Sequence, residues 1–135
     1  MNPNLDLLRD FFAAINRNDM DAMAACFAPG VVRTEPEGWD TAGTHIGVEA
    51  VRANVSKGRA TWAEGSCDPE KYLVGAERIV VYLHARVRLA SSNEWVGGRF
   101  ADGFVLADGK ILEYRTFWER RDALAWAGIT DEETE

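Results

Sequence analysis

The sequence is poor in the residues that define several common protein classes. Its two cysteines, Cys26 and Cys67, are too few for a disulfide framework and show no zinc-ligand spacing. Both are interpreted as small buried hydrophobic residues. No apolar run approaches the roughly 18 residues of a membrane span, and residues 1–10 are polar and acidic, unlike a secretory signal. The expected location is the cytoplasm.

Positive charge is also scarce. The chain has 15 Lys and Arg against 22 Asp and Glu, which gives a net charge of −7. A nucleic acid or an anionic membrane surface is therefore not the expected main partner. No metal site and no cofactor are expected.

The length of the chain indicates a single domain, because 135 residues suffice for one domain with its own core. That domain is predicted over residues 1–130, followed by a short acidic tail, 131–135.

The first half of the chain shows the helical spacing of apolar residues. The first helix is predicted over residues 4–17, and a second begins after Asp19, which can cap it. The third is predicted over residues 47–64, with Trp62 on its apolar face. A strand, 31–36, precedes the third helix. We therefore expect three helices and one strand before residue 65.

From residue 65 onward the period changes to two, as in β-strands. The predicted strands are 66–74, 77–90, 94–107 and 110–119. The clearest hairpin signal is Asp108-Gly109, and a short helix is predicted at 122–129. Helices followed by an antiparallel meander predict an α+β domain. In this domain three N-terminal helices pack on a curved antiparallel sheet, and a short C-terminal helix comes after the last strand.

Alternation places one carboxylate on the sheet face that should meet the helices. In the 94–107 strand, Asp102 lies between Phe100 and Phe104 on an otherwise apolar face. A buried carboxylate without a partner is costly, so Asp102 is expected to be protonated, paired or exposed to a cavity. In the last strand the residues expected on this face are Leu112, Tyr114, Thr116 and Trp118.

Three stretches resemble the NTF2-like superfamily, and within it the SnoaL-like branch: RDFFAAINRNDMDAMAACFAPGVV, HIGVEAVRANV and DGFVLADGKILEYRTFWERRDALAWAGI. The resemblance implies a cone-shaped fold with a pocket between the helices and the concave face of the sheet. It also implies a homodimer through the convex sheet face. The superfamily includes ketosteroid isomerases, polyketide cyclases and many non-enzymes, so the fold alone does not determine the function.

One candidate catalytic residue is Glu35. The run Glu35-Pro36-Glu37-Gly38 resembles the Asp-Pro-x-Gly of ketosteroid isomerases, whose Asp is the general base. The resemblance implies that Glu35 is a base at the pocket mouth, held by the proline turn. Because Arg33 lies on the same strand face, a surface ion pair between Arg33 and Glu35 is an equal alternative.

The second candidate is Asp102, whose position is similar to that of the acid/base Asp of polyketide cyclases. The resemblance implies an acid or oxyanion donor. The alternative is a structural hydrogen bond to Tyr114 or Trp118. The chain also departs from both families: Phe11 stands where ketosteroid isomerases have the Tyr of their oxyanion hole, and Val105 where the cyclases have an Arg.

Ligand-binding residues are expected among the large aromatic side chains. The candidates are Phe11, Phe12, Trp39, Trp62, Phe100, Phe104, Tyr114 and Trp118. Aromatic residues at core spacing are often simply core, so that alternative stays open. His45 is interpreted as a cap or loop residue rather than a base.

Two functions fit the sequence. One is cofactor-independent proton transfer of the isomerase or cyclase type on a small apolar or amphipathic molecule, with Glu35 as base and Asp102 as acid. The other is a non-catalytic ligand-binding or scaffolding dimer that keeps the pocket. They differ in whether the carboxyl groups of Glu35 and Asp102 point into one cavity.

Overall fold

The computed structural model describes residues 2–39 and 41–130, and the predicted tail 131–135 lies outside them. These residues form four helices and six strands. The helices are α1 (Pro3–Asn16), α2 (Met20–Ala24), α3 (Val48–Arg59) and α4 (Arg120–Ala127). The strands are β1 (Phe27–Glu35), β2 (Gly43–Ile46), β3 (Trp62–Val74), β4 (Ile79–Leu89), β5 (Trp95–Ala107) and β6 (Lys110–Phe117).

Side chains fix the beginnings of the first two helices. The Asn2 side chain accepts hydrogen bonds from the first backbone N–H groups of α1, and Asp19 accepts one from the N–H of Ala22 in α2. The apolar stripe predicted for the first helix is buried. None of the helices described here is long and apolar enough to cross a membrane.

The six strands form one sheet in the order β2-β1-β6-β5-β4-β3. The four strands predicted as a meander, β3 to β6, pair antiparallel with their neighbours in sequence. The prediction of an antiparallel sheet was wrong for β1, which pairs parallel to β6 and brings Arg33 opposite Tyr114. Strand β2 was not predicted; it is a short edge strand that places His45 opposite Arg33. His45 is therefore in a strand, not in a cap or loop.

The third helix ends earlier than predicted. Helix α3 stops at Arg59, where the backbone N–H and the hydroxyl of Thr61 both donate to the carbonyl oxygen of Gly58. These two bonds close the last turn, so Trp62 opens β3 instead of continuing the helix. The Arg59 guanidinium lies 4.5 Å from the centre of the Trp62 ring.

A β-bulge changes which residues of β6 face the core. The register shifts between Val105 and Leu106, so that Leu106 lies opposite Ile111 and Val105 lies opposite Glu113. Ile111 is fully buried, whereas Leu112 is 40% exposed. The prediction that Leu112 belongs to the core was wrong because strict alternation does not continue through a bulge.

Apolar layers cover both faces of the curved sheet. The main core lies between the first three helices and the concave face, where Phe104 is fully buried. A second, smaller core lies on the convex face, where Ala123 of α4 packs with Val80 of β4. There the rings of Phe117 and Trp126 lie 5.6 Å apart.

Two adjacent glycines in β5 share a backbone conformation but not their surroundings. The φ angles of Gly97 and Gly98 are +150° and +151°, in a region that disfavours side chains. A Cβ at Gly97 would overlap the carbonyl oxygen of Ala85 on β4, whereas one at Gly98 would meet no atom within 4 Å. We therefore expect Gly97→Ala to lower the free energy of unfolding by at least about 2 kcal/mol more than Gly98→Ala. Urea unfolding of both variants measures the difference, and equal losses would contradict the close packing of β5 on β4.

Candidate functional site

A cavity of about 610 Å³ lies between α3, the loop after β1 and the concave face of the sheet. Its volume is typical of small-molecule sites, which span roughly 300–1,000 Å³. Apolar side chains such as Val55 and Val87 form much of its wall. The buried polar or charged side chains of the described residues all line this cavity, and we call them the polar cluster: Arg33, Glu35, Asn54, Asp102 and Thr116.

Glu35 faces the cavity and is also paired with Arg33. One carboxylate oxygen accepts from the Arg33 guanidinium at 2.9 Å, and the other accepts from the Thr41 hydroxyl at 2.5 Å and the Asn54 amide at 2.8 Å. The paired side chains are each only 5% exposed, so the ion pair is buried and not on the surface. The predicted ion pair with Arg33 therefore forms, but inside the cavity wall and not at the surface, and the role of Glu35 as a base stays a prediction.

Arg33 is the centre of the polar cluster. Beyond Glu35, its guanidinium donates to the Thr116 hydroxyl at 2.8 Å and to the Asn54 side-chain oxygen at 3.4 Å. Its flat face lies 3.7 Å from the centre of the Tyr114 ring, which is a close cation–π contact. A guanidinium held on three sides by hydrogen bonds and stacked on a ring is a fixed positive charge.

Asp102 is the second buried carboxyl of the cluster. Its Oδ1 accepts a 2.6 Å hydrogen bond from the Thr116 hydroxyl, which itself accepts from Arg33. Burial raises the pKa of Asp102 from 3.8 to about 6, although the charge of Arg33 and the Thr116 hydrogen bond act to lower it. The nearby Glu35 charge raises the pKa further, and a hydrogen bond with Tyr114 lowers it. Asp102 therefore changes its charge close to neutral pH.

Six of the eight predicted ligand-binding residues line the cavity: Phe12, Trp39, Trp62, Phe100, Tyr114 and Trp118. Phe11 and Phe104 do not. Both are fully buried and pack edge to face at a centroid distance of 5.8 Å, which places them in the core behind the cavity wall. Phe11 and Phe104 therefore support the wall from behind and do not line the cavity as predicted. Alternation identifies the face on which a side chain lies but not its depth.

Two tryptophans stand at the mouth of the cavity. Trp39 packs on Trp118 with ring centroids 4.6 Å apart and on Phe100 at 5.4 Å. The indole N–H of Trp118 donates to the backbone carbonyl of Glu37 at 2.9 Å, and Trp118 is nevertheless 51% exposed. The proline turn after Glu35 is therefore tied to the end of β6 across the cavity mouth.

Part of the polar cluster differs from the residues predicted for the site. Asn54 and Thr116 were not identified as site residues, and Arg33 was considered only as a competitor for Glu35. The Asn54 amide also lies 3.2 Å from Nε2 of His45, so β2 joins the network from outside. A signal for Asn54 existed: it is a polar residue at a core-facing position of a helix, between Val51 and Val55.

The described residues offer no evident metal centre. No three His, Cys, Asp or Glu side chains among them lie close enough together to hold a metal ion. Cys67 lines the cavity, but burial and the neighbouring Asp102 raise the pKa of its thiol well above the usual range. It therefore stays protonated and is a poor nucleophile or ligand.

This combination of a curved mixed sheet, helices on its concave face and an open cavity with a polar inner end defines an NTF2-like domain. A family model of the SnoaL-like domain matches residues 8–114. The chain belongs to the SnoaL-like family. A comparison with curated proteins gave no match.

Solved structures support the same fold. An NTF2-like protein of unknown function from Burkholderia pseudomallei K96243 has a TM-score of 0.78 at 23% identity, covering 94% of this chain and 98% of that one. TerC, co-crystallised with polyporic acid, has a TM-score of 0.77 at 17% identity, with coverages of 93% and 98%. Rv0760c from Mycobacterium tuberculosis, solved with estradiol-17β-hemisuccinate, has a TM-score of 0.76 at 17% identity, with coverages of 90% and 97%.

Proposed function

We propose that the protein binds a small apolar or amphipathic molecule in this cavity and transfers a proton to or from it through Asp102, without a cofactor. The observation that carries the proposal is the position of the polar cluster at one end of an apolar cavity. Buried polar groups are costly, and functional sites are where such groups gather. The ligands in the TerC and Rv0760c structures support a ligand-binding role for this fold.

Asp102 has the properties of a general acid or base. A group that exchanges a proton efficiently has a pKa near the working pH, and the raised pKa of Asp102, about 6, meets that condition. In an isomerase-type reaction, the carboxylate takes a proton from a carbon next to a carbonyl group. The electron pair of the broken C–H bond moves onto the carbonyl oxygen, and Asp102 returns the proton at another carbon.

Glu35 suits a positioning role better than the predicted role of base. Both of its oxygens accept hydrogen bonds, and Arg33 neutralises its charge. Both oxygens are therefore already engaged within the cavity wall, and neither is free to approach a substrate carbon. Its effect is to orient Arg33, whose fixed positive charge favours the negative charge that develops on the carbonyl oxygen.

Binding without catalysis is the second candidate, and one observation favours it. The ion pair with Arg33 engages Glu35, the carboxylate that the sequence-based mechanism assigned as base. If Asp102 alone does not exchange protons with a ligand, the cavity acts as a binding site whose polar end orients the ligand.

Deuterium exchange into a model ketone tests this proposal without knowledge of the natural substrate. The probe is 2-tetralone, a small apolar ketone with acidic C–H bonds, incubated in D₂O with the wild-type protein, Asp102→Asn or Asp10→Asn. We expect the wild type and Asp10→Asn, which changes an exposed residue of α1, to accelerate exchange at the carbon next to the carbonyl. Asp102→Asn should lose about 10²–10⁴-fold of that acceleration, as expected for a lost general base.

Binding is followed in the same samples through the chemical shifts of the ketone. A dissociation constant of Asp102→Asn within about threefold of the wild-type value would assign the loss to proton transfer and not to binding. Binding by the wild-type protein without any acceleration of exchange would contradict catalysis and support the second candidate. Absence of binding would contradict both.

Two further expectations from the sequence remain predictions. One is a homodimer through the convex sheet face, part of which α4 already covers in the monomer. Light scattering at micromolar concentration tests the homodimer, and a monomer mass would contradict it.

The second expectation is a cytoplasmic location, which fractionation of cells producing the protein tests.

A further inference from the structure

Charged side chains on the cavity wall are compensated in pairs, except at its two ends. Arg33 is paired with Glu35 at 2.9 Å. Arg99, which also lines the cavity, is paired with Glu70 at 3.1 Å. Each pair carries no net charge as a unit, although the Arg33 guanidinium remains a local positive charge within the polar cluster.

The charges left over have opposite signs at opposite ends. Asp102, 2% exposed, lies at the inner end and is negative above pH of about 6. Lys57 and Arg59 line the outer part of the cavity in the last turn of α3. Neither has a carboxylate partner within 4.0 Å among residues 2–39 and 41–130. The positive outer end contrasts with the net charge of −7 of the whole chain.

Arg59 is held in place as part of this outer end. Its guanidinium donates to the backbone carbonyls of Ile15 and Asn16 at 2.7 and 3.0 Å and lies over the Trp62 ring. Burial lowers the pKa of Arg59, which marks a charge partly removed from water. A partly desolvated, fixed cation interacts more strongly with an anion than a fully hydrated one does.

Basic residues are favoured in the last turn of a helix, because the C-terminal end of the helix dipole is negative. This preference accounts for part of the positive charge at the end of α3 but not for all of it. The end of a helix carries about half a negative charge, whereas Lys57 and Arg59 together carry two positive charges. Along the helix axis, Lys57 and Arg59 lie about 4.5 and 7.5 Å beyond Asn54, which belongs to the polar cluster. The outer end thus lies about one helical turn beyond Asn54 along α3.

We propose that the ligand is an elongated amphipathic anion, with its acidic group at Lys57 and Arg59 and an uncharged hydroxyl- or carbonyl-bearing end at Asp102. This inference rests on the proposed function, since it names the class of molecule that the same cavity takes. An acidic group at the inner end would be repelled by ionised Asp102. At the outer end the same group meets two cations and leaves the hydroxyl or carbonyl beside the acid–base residue.

A matched pair of fluorescent probes tests the inference: 6-hydroxy-2-naphthoate and its methyl ester. They share the rings and the hydroxyl group and differ at one substituent, which is a charged carboxylate in the acid and a neutral methyl ester in the other. At pH 7.5 and 20 mM salt, we expect the acid to bind the wild-type protein about fivefold more tightly than the ester, the size of one partly exposed ion pair. At 300 mM salt the preference should shrink, because salt screens exposed charges.

Lys57→Gln should weaken binding of the acid more than binding of the ester and so reduce the preference, and Lys57→Glu should reduce it further, with Arg59 as the remaining cation. The matched control is Arg52→Gln, on the same helix but paired with Asp21 and outside the cavity, which should behave as wild type. Two results would overturn the inference: equal binding of acid and ester to the wild type, or an equal effect of the Arg52 and Lys57 variants. In either case, binding of the ester would still support the proposed pocket. Absence of binding of both probes would contradict the proposed function as well.

Discussion

The Arg33→Met variant is expected to lose about 3–5 kcal/mol of stability, because it leaves the Glu35 carboxylate buried without its partner. Arg33 is 4% exposed and also bonds Thr116 and Asn54, so its loss leaves these buried polar groups without a partner as well. For a domain of this size, the loss corresponds to a fall in Tm of about 10–20 °C. Thermal unfolding followed by circular dichroism measures it.

The double variant Arg33→Met with Glu35→Leu provides the control for this loss. Replacing both partners removes the orphaned charge, so the double variant should be more stable than Arg33→Met alone. Arg52→Met, which breaks an exposed pair with Asp21, should lose only a small fraction as much. A Tm of Arg33→Met close to that of the wild type would contradict a buried ion pair.

The Asp102→Asn variant is expected to be more stable than the wild type at pH 7.5, by about 3 kcal/mol. Burial raises the pKa of Asp102 from 3.8 to about 6, so the folded protein holds this proton more tightly than the unfolded chain does. The stabilisation from the neutral carboxyl is therefore complete below pH of about 4 and lost as the pH rises through about 6. Asn is neutral throughout and can still accept the Thr116 hydrogen bond.

The pH dependence separates this effect from ordinary changes in packing. The difference in free energy of unfolding between Asp102→Asn and the wild type should be smallest near pH 4 and grow until about pH 7. Urea unfolding at several pH values measures it, with the exposed Asp10→Asn variant as control. A difference that does not vary with pH would contradict a raised pKa. A stability gain joined to a loss of proton exchange would show that the protein keeps Asp102 for function at a cost in stability.

Local patterns in the sequence predicted the elements of the fold better than their long-range pairing. Helix α1 and strands β3 to β6 follow from apolar spacing and turn residues, since burial of one face imposes that spacing. The parallel pairing of β1 with β6 joins residues about 80 positions apart and leaves no local pattern. Strand β2 is short and mostly exposed, so it lacks the alternation that identifies a strand.

The candidate site was predictable to the extent that it violates those patterns. Asp102 was found because a carboxylate interrupts an apolar face, and Glu35 because of its place before a proline turn. The network that joins them depends on Asn54 and Thr116, which come from α3 and β6. Their meeting at Arg33 is set by the packing of α3 on β1 and by the pairing of β1 with β6, which sequence spacing does not specify.

The most direct test of the account is a titration of the Asp102 side-chain carboxyl, followed by its ¹³C chemical shift and assigned by comparison with Asp102→Asn. The structure predicts a midpoint at about 6, because the carboxyl is buried beside the cavity. It also predicts that the midpoint moves when 6-hydroxy-2-naphthoate binds. A midpoint near the ordinary value of about 3.9, unchanged by the ligand, would contradict the assignment of Asp102 as a buried acid–base group in a ligand cavity.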